Sequence, residues 1–393
     1  MRLKNRFPVA AAIAAYLLSL LFPGPVSAQP SSDTSRYEVC GYMPSFFPLM
    51  KEALTWPEAW GNSPEKDFVK WKGRARGIVL GCMENLPPAP LGFAPEITAS
   101  EQRNGYSARK ILFNASQWCR VSAYLLVPDG KGPFPAVIVL HDHGAHFSIG
   151  KEKVVRPFAV PPEVEKDAEL WVEKFYDGVF IGDMLARNGF VVLAVDALYW
   201  GERGRREGAD YDVQQALASN MLQMGSSWGG FITADDLRSA DFLASLDCVD
   251  STRIGCVGFS MGAYRSWMLA ALSDRIAVSA SVCWMNTTGY LMTMDNNQNK
   301  GGSAWSMIVP GLRRFMDYPH VAAIACPRPA LFFNCRQDKL FPTEGVEEAY
   351  DVLRRTWEEQ DAGDSLVTRL WDGNHFFNRQ MQEEVLEFLC RWL

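Results

Sequence analysis

The sequence predicts an α/β fold whose doubly wound, mostly parallel sheet carries helices on both faces, with an N-terminal helical extension. From Ala136 to the C-terminus, apolar strand-like runs alternate with helix-patterned stretches, as such a sheet requires. A glycine-flanked serine, Ser260, lies between one of these runs and a helical pattern. The 393 residues, 48% of them hydrophobic, suffice to build a large core.

The first 28 residues have the pattern of a signal peptide. Basic residues precede an apolar stretch over residues 9–22, and Val26-Ser27-Ala28 is a small-residue cleavage site. The apolar stretch is too short to span a membrane as a mature helix. We therefore expect an exported protein, periplasmic or extracellular, that is not membrane-bound after cleavage.

Residues 29–95 form a predicted N-terminal extension to the main domain, which we place at residues 96–393. Two helix-like patches, Phe46–Leu54 and Glu65–Leu86, precede the proline-rich break at Pro87-Pro88. Amphipathic helices need an apolar surface to cover, so we expect the extension to pack on the main domain.

Charge and cysteine content narrow the class of protein. A formal net charge of -6 supplies no basic stripe for phosphates, which argues against a nucleic-acid partner. The cysteines number nine, so at least one stays free or pairs between chains. Several lie in apolar strand-like runs, where a thiol behaves as a small hydrophobe. We expect mostly packing cysteines and no zinc or redox motif.

The strand pattern begins at about residue 96 and continues towards the C-terminus. Turn residues separate the first predicted strands, which are Ile97–Gln102, Ser107–Asn114, Arg120–Val127 and Ala136–Leu140. The stretch 146–182 is too irregular for a short connection, and we expect it to cover the mouth of a site. Later strands are predicted over 190–196, 253–257 and 329–335, and helices over 235–246 and 379–393.

Ser260 stands in Gly258-Phe259-Ser260-Met261-Gly262, between an apolar strand and a helical pattern. Strand, G-x-S-x-G and helix together make the context of a nucleophile elbow, in which a tight turn exposes the serine. The alternative is a glycine-rich turn with a solvated serine. We predict that Ser260 is a catalytic nucleophile.

The partners of a serine nucleophile are sought on later strand ends. Asp338 follows the predicted strand 329–335, and His375 precedes the terminal helix. Asp372 is the runner-up acid, but its place three residues before His375 favours a turn role. His320 precedes the acid and lies on the wrong side in chain order. We therefore predict Ser260, Asp338 and His375 as the catalytic residues.

A histidine-rich loop follows the strand Ala136–Leu140. In folds with this elbow, such a loop supplies one backbone N–H of an oxyanion hole and the residue after the nucleophile supplies the other. Those positions are His143 and Met261 here. The spacing of His141, His143 and His146 also permits a metal site, but no separate ligand set points to the same place. We predict no metal and no cofactor.

A charged loop follows the strand 190–196 at a sheet edge where open α/β sheets bind ligands. Trp200 and Arg203 lie in it, and we predict both as substrate contacts, against the alternative of a solvated charged loop. Arg203, Arg205 and Arg206 are candidates for a basic pocket that would bind an anionic uronate.

The combined motifs resemble an α/β hydrolase of the dienelactone-hydrolase-like branch, which contains acetyl xylan esterases and related secreted carbohydrate esterases. The resemblance covers about residues 96–393 and is carried by these segments: His141-Asp142-His143-Gly144, Gly258–Gly262, Cys326-Pro327-Arg328-Pro329, Asp338 and Gly373-Asn374-His375. It implies an α/β-hydrolase fold, a Ser-His-Asp triad and an esterified oligo- or polysaccharide substrate. The family often has glycines where this chain has His141-Asp142-His143.

Three classes of function compete. A carbohydrate esterase acting on acetyl or methyl esters fits the signal peptide, the resemblance and the 13 tryptophans, although tryptophans are more often core residues. A serine peptidase or a small-molecule, dienelactone-type hydrolase shares the elbow, but a peptidase of the prolyl-oligopeptidase kind would need a propeller domain. A non-catalytic binding protein would be expected to lack part of the triad. We predict the esterase.

Overall fold

The computed structural model describes residues 39–40, 43–83, 85–205, 207–293 and 305–393. The predicted signal peptide, residues 1–28, lies outside the described residues. Strands Val39–Cys40 (β1) and Met43–Pro44 (β2) form a short antiparallel pair of their own.

Within the described chain, nine strands form one sheet in the order β11-β10-β9-β8-β6-β7-β5-β4-β3. Its strands are β3 Glu96–Arg103, β4 Tyr106–Asn114, β5 Arg120–Pro128, β6 Phe134–Leu140, β7 Val191–Val195, β8 Val249–Phe259, β9 Val278–Val282, β10 Ala330–Cys335 and β11 Leu366–Trp371. Strands β6 to β11 run parallel, and β3, β4 and β5 are antiparallel to their neighbours. The prediction of a mostly parallel sheet is confirmed.

Helices cover both faces of this sheet. They are α1 Phe47–Glu52, α2 Phe68–Gly81, α3 Pro162–Tyr176, α4 Ile181–Arg187, α5 Tyr211–Gln223, α6 Trp228–Ala244, α7 Met261–Leu272, α8 Thr288–Leu291, α9 Tyr318–Ala322, α10 Thr343–Glu358 and α11 Arg379–Trp392. In the part of the chain that the structure describes, none of these helices combines the length and apolar character needed to cross a membrane.

The period of two along each strand divides the core into two layers. On β6, Ile138 and Leu140 face the layer beneath α2, α6, α7 and α10, whereas Val137 and Val139 face α3, α4 and α11. Both faces of the central strands are thus covered, which explains why their sequences are continuously apolar.

The described part of the predicted extension contributes to the first of these layers. Trp71, Ala75 and Val79 lie on one face of α2 and are buried in the same cluster as α7, the helix that follows Ser260. Arg76 donates a hydrogen bond to the carbonyl of Ala271 at 2.8 Å. The boundary at residue 95 stays a prediction.

The stretch 146–182 differs from the irregular covering segment that the sequence predicts. It contains α3, a helix of 15 residues, and Lys151, Glu152 and Lys153 are buried. The stretch from Pro157 to Pro162 is rich in proline, but Pro162 is the first residue of α3, where its missing N–H costs nothing. This segment is therefore part of the packed protein.

Candidate active site

Ser260 lies in the sharp turn between β8 and α7. Its backbone has φ 57° and ψ −123°, an unusual conformation for a residue with a side chain. Gly258 and Gly262 make the turn possible, since a Cβ on Gly258 would collide with the carbonyl of Gly262 and one on Gly262 with the carbonyl of Leu140. The Ser260 N–H donates to the carbonyl of Val282 at 2.8 Å.

The structure brings the three predicted catalytic side chains into one hydrogen-bonded chain. The Ser260 hydroxyl is 2.8 Å from His375 Nε2, and His375 Nδ1 is 2.6 Å from Asp338 Oδ2. Asp338 follows β10 and His375 follows β11, and these parallel neighbours end at the same edge of the sheet as β8. The side chain of Asp338 is buried, and its Oδ1 accepts the N–H of Leu340 at 2.9 Å.

The imidazole of His375 is enclosed by two aromatic rings. The ring of Phe259, directly before the serine, lies 4.7 Å away, and Phe341 stacks at 6.1 Å. The two rings limit the positions that the imidazole can adopt, and the Asp338 carboxylate fixes the nitrogen that carries the proton.

The runner-up acid is not part of this arrangement. The side chain of Asp372 is 89% exposed and lies 3.6 Å from the guanidinium of Arg336. His320 is also elsewhere, since its Nδ1 accepts the N–H of Asp317 at the start of α9.

The two predicted oxyanion positions differ in character. Met261 is the first residue of α7, so its N–H has no acceptor within the helix and lies at the helix's positive end. His143 lies in the loop after β6. The start of this loop lies beside the Ser260 turn, since a Cβ on Gly262 would meet the carbonyl oxygens of Leu140 and His141.

Buried donors orient the peptide groups of this loop. Lys153 Nζ donates to the carbonyls of Asp142 and His143 at 3.1 and 2.9 Å, and Trp200 Nε1 donates to the His143 carbonyl at 3.2 Å. In a trans peptide the N–H points opposite to the C=O. The N–H groups of His143 and Gly144 are consequently turned away from Lys153.

The ring of His143 is a packing element. It contacts Phe147 and Trp200 edge-on, and its Nδ1 accepts the N–H of Ala145 at 2.8 Å. Burial, and then the charge of Lys153, lowers the pKa of His143 to about 3, so the ring is neutral at pH 7. Since Nδ1 accepts, the proton of the neutral ring is on Nε2, which is buried and meets no hydrogen-bond acceptor among the described residues.

The three loop histidines have separate partners. His141 Nε2 accepts the N–H of Ala197 at 3.0 Å, and burial holds its pKa well below the usual value. His146 Nε2 lies 2.8 Å from the carboxylate of Asp167. Their donor atoms do not form a ligand cluster with one another in the described part of the chain.

Two other groups of side chains could in principle bind a metal, because the potential ligand atoms within each group lie within 4.8 Å of one another. Glu152, Asp196 and Glu202 surround Lys151 Nζ, which lies 2.7 to 3.0 Å from all three carboxylates and supplies the positive charge that a metal would bring. Burial opposes the charge on Lys151, but the three carboxylates outweigh it and raise its pKa well above the usual value.

The second group joins Cys283 to Asp338 and His375. Burial raises the pKa of Cys283 well above the usual value, which keeps the thiol protonated, and the thiolate is the form that binds metals. The thiol instead donates to the carbonyl of Phe376 at 3.5 Å and thereby contacts the loop that carries His375.

The two predicted substrate contacts lie inside the protein, which corrects that prediction. Trp200 is 0% exposed and packs against Phe147 and Trp228. The Arg203 side chain is only 8% exposed and pairs with Asp235 at 2.7 Å. With these partners, neither side chain offers a surface to a substrate in this conformation.

Sequence reasoning missed Lys153 as a contributor to the site. Two lysines and a glutamate in a row are typical of a solvated loop. The signal that could have identified them is their apolar flanks, Ile149 on one side and Val154-Val155 on the other, which are also buried.

Comparisons with known proteins agree with this fold. The chain is 28% identical over 294 residues to YtaP of Bacillus subtilis (strain 168), which is assigned as a hydrolase. The matched region covers 75% of this chain and 90% of that protein. A Bacteroides fragilis NCTC 9343 structure assigned as an acetyl xylan esterase superposes with a TM-score of 0.64 and 20% identity over 84% of this chain and 83% of that one. A glucuronoyl esterase from Solibacter usitatus superposes with a TM-score of 0.59 and 13% identity, over 84% of this chain and 95% of that one.

At these identities the two solved structures establish the fold, and the α/β-hydrolase prediction is confirmed. A sequence profile described as the Abhydrolase family matches residues 47–363, most of the chain. The match includes Ser260 and Asp338 and ends before His375. On this evidence, the chain belongs to the Abhydrolase family.

Proposed function

We propose that the protein is a serine carboxylic-ester hydrolase that acts on esterified carbohydrate through Ser260, His375 and Asp338. The observation that carries the proposal is the chain of hydrogen bonds from Ser260 Oγ through His375 to Asp338, with separations of 2.8 and 2.6 Å. This is the geometry that acyl transfer by a serine nucleophile requires.

The proposed reaction begins with the attack of Ser260 Oγ on the ester carbonyl. His375 Nε2 takes the hydroxyl proton as the Oγ–C bond forms, and Asp338 stabilises the resulting imidazolium. The carbonyl oxygen becomes an oxyanion, for which the backbone N–H groups of Met261 and His143 are the proposed donors. The role of Lys153 is to hold the loop carbonyls away, which leaves these N–H groups for the oxyanion.

The tetrahedral intermediate then collapses. The C–O bond to the alcohol breaks, and His375 returns the proton to the departing sugar or methanol oxygen, which leaves an acyl group on Ser260. Water attacks this acyl-enzyme with His375 as the base, and the acid is released as Ser260 regains its proton. No cofactor takes part in the scheme.

Within esterified carbohydrate, we propose acetyl esters as the first substrate class to test. The sequence suggested a uronate pocket built on Arg203, Arg205 and Arg206. Asp235 neutralises the Arg203 guanidinium inside the protein, Arg205 lies 3.9 Å from Glu207, and Arg206 lies outside the described residues. A neutral acetyl group needs no such charge. The solved relatives named above include both acetyl xylan and glucuronoyl esterases, so methyl and uronate esters are the alternative arm of the test.

We further propose that the mature protein is exported, periplasmic or extracellular, and meets its oligo- or polysaccharide substrate there. This rests on the sequence pattern of residues 1–28 alone.

The deciding experiment offers purified protein acetylated xylan and methyl-esterified pectin, with acetate and methanol measured separately. We expect acetate from xylan, and no product from either polymer with Ser260→Ala. Equal rates for wild type and Ser260→Ala would refute the serine mechanism. Methanol without acetate would replace the substrate class and leave the mechanism in place.

A further inference from the structure

One tryptophan of this chain faces solvent at a loop tip. All 13 tryptophans lie among the described residues, and Trp118, which is 74% exposed, is the only one of them in the exposed class. It lies in the turn between β4 and β5. Because the chain buries or half-buries the other tryptophans, this exposed indole is not explained by packing.

The turn borders a cleft of about 380 Å³, of the size that small-molecule sites have. Apart from Trp118 and Leu91, the side chains that line it are mainly polar, and those the argument uses are Asn114 and Gln117.

Hydrogen bonds join the two sides of this cleft, the end of β4 with its turn and the segment 88–92. The Asn114 amide nitrogen donates to the carbonyl of Gly92 at 2.9 Å, and that of Gln117 to Ala89 at 3.1 Å. The Gln117 backbone N–H also donates to Pro88, at 3.1 Å. The two amide oxygens accept no hydrogen bond from any described residue and remain acceptors for hydroxyl groups.

The cleft lies at the same edge of the sheet as Ser260. Strand pairing places Tyr124 of β5, Ala194 of β7, Val139 of β6 and Val257 of β8 in one row across the sheet. The β4–β5 turn precedes Tyr124 and Ser260 follows Val257, so both extend beyond the row on the same side. Three strand spacings separate β5 from β8, which is about 14 Å.

Arg203 connects the turn to the active-site edge. Its guanidinium lies 3.5 Å from Cys119 Sγ, next to Trp118, and donates to the carbonyl of Asp196 at the end of β7 at 3.0 Å. The residue that the sequence suggested as a substrate contact thus supports the Trp118 turn from inside.

We propose that Trp118 and its cleft form a distal glycan subsite, which binds sugar rings of the polysaccharide several units from the ester at Ser260. A sugar ring presents a C–H face that packs on an indole and hydroxyl groups that suit the amide oxygens of Asn114 and Gln117. A protein partner would need a larger apolar patch than Trp118 and Leu91 provide. The inference rests on the proposed function, because it assumes a carbohydrate substrate.

The test compares Trp118→Ala with Tyr211→Ala, a matched loss of an exposed aromatic on α5. Binding to deacetylated xylan is measured with each variant in the Ser260→Ala background, and hydrolysis with acetylated xylan and p-nitrophenyl acetate. We expect Trp118→Ala to weaken xylan binding and raise KM for acetylated xylan roughly tenfold, the loss of one good aromatic contact. Its p-nitrophenyl acetate turnover should match wild type.

Each result has a distinct meaning. Unchanged xylan binding and polymer KM in Trp118→Ala, with wild type active on acetylated xylan, would overturn the subsite and leave the esterase standing. A wild type that hydrolyses p-nitrophenyl acetate but releases nothing from acetylated xylan or esterified pectin would overturn the carbohydrate function. Equal losses in the Trp118 and Tyr211 variants would also overturn the subsite.

Discussion

Asp338→Asn is the substitution that separates the proposed triad from its nearest alternative. The amide oxygen of Asn can still accept the N–H of Leu340, so the loop should keep its shape. The amide nitrogen, however, would face His375 Nδ1 as a donor. This favours the tautomer that carries its proton on Nε2, and that nitrogen then cannot take the proton of Ser260.

The size of the effect follows from the contact. At an effective dielectric of about 20, two unit charges about 4 Å apart attract by about 4 kcal/mol, which is roughly 10³-fold in rate. The wrong tautomer adds to this loss. We expect turnover to fall by ~10³- to 10⁴-fold, the upper value being the loss that the equivalent Asp-to-Asn change causes in the triad of serine proteases.

Asp372→Asn is the matched control, because Asp372 is the other candidate acid. Its exposed pair with Arg336 contributes at most about 1 kcal/mol, so turnover should change by less than about fivefold. Both variants are assayed with the same acetylated substrate after circular dichroism has verified folding. A crippled Asp372→Asn beside a near-normal Asp338→Asn would refute the choice of acid.

Three further predictions concern the loop after β6 and metal dependence. Lys153→Met should lower kcat by ~10-fold or more with little change in KM, because the loop carbonyls lose their donor and the oxyanion N–H groups move. The exposed Lys166→Met is its control, and a pure KM effect would contradict the positioning role. Because the folded pKa of His143, about 3, lies below the unfolded value of about 6.5, the unfolded state binds its proton first and stability falls as pH drops below about 6.5. The free energy of unfolding, measured with urea, should fall by about 2 kcal/mol between pH 6.5 and 5 because of this residue. His143→Asn should remove this loss and His146→Gln should keep it. An unchanged pH dependence of the unfolding free energy in His143→Asn would refute the prediction. Dialysis against a chelator should leave the esterase rate unchanged, and a loss restored by zinc would contradict the metal-free mechanism.

The sequence predicted the elements that carry strong local signals. The turn at Ser260 needs two glycines for steric reasons, and those glycines are visible in the sequence. The strand before Asp338 and the helix after His375 are marked by apolar periodicity. Their meeting at one sheet edge follows from the parallel order, because parallel strands end at the same side.

Tertiary packing decided what the sequence could not. The charged neighbours of Trp200 in the sequence favour a substrate contact, whereas in the structure the indole is enclosed by residues distant in sequence. The charged run around Lys151 likewise favours a solvated loop, but three carboxylates surround the Lys151 ammonium, two of them from a different segment. A local pattern contains no information on such partners.

Covalent labelling tests whether Ser260 is a nucleophile activated by His375. Purified protein is incubated with a fluorophosphonate, and the adduct is located by peptide mass spectrometry. We expect a single adduct on the peptide that contains Ser260. It should be absent in Ser260→Ala, and its formation should be strongly slowed in His375→Ala. A fully active esterase that carries no adduct on that peptide, or an adduct that persists in Ser260→Ala, would contradict this expectation.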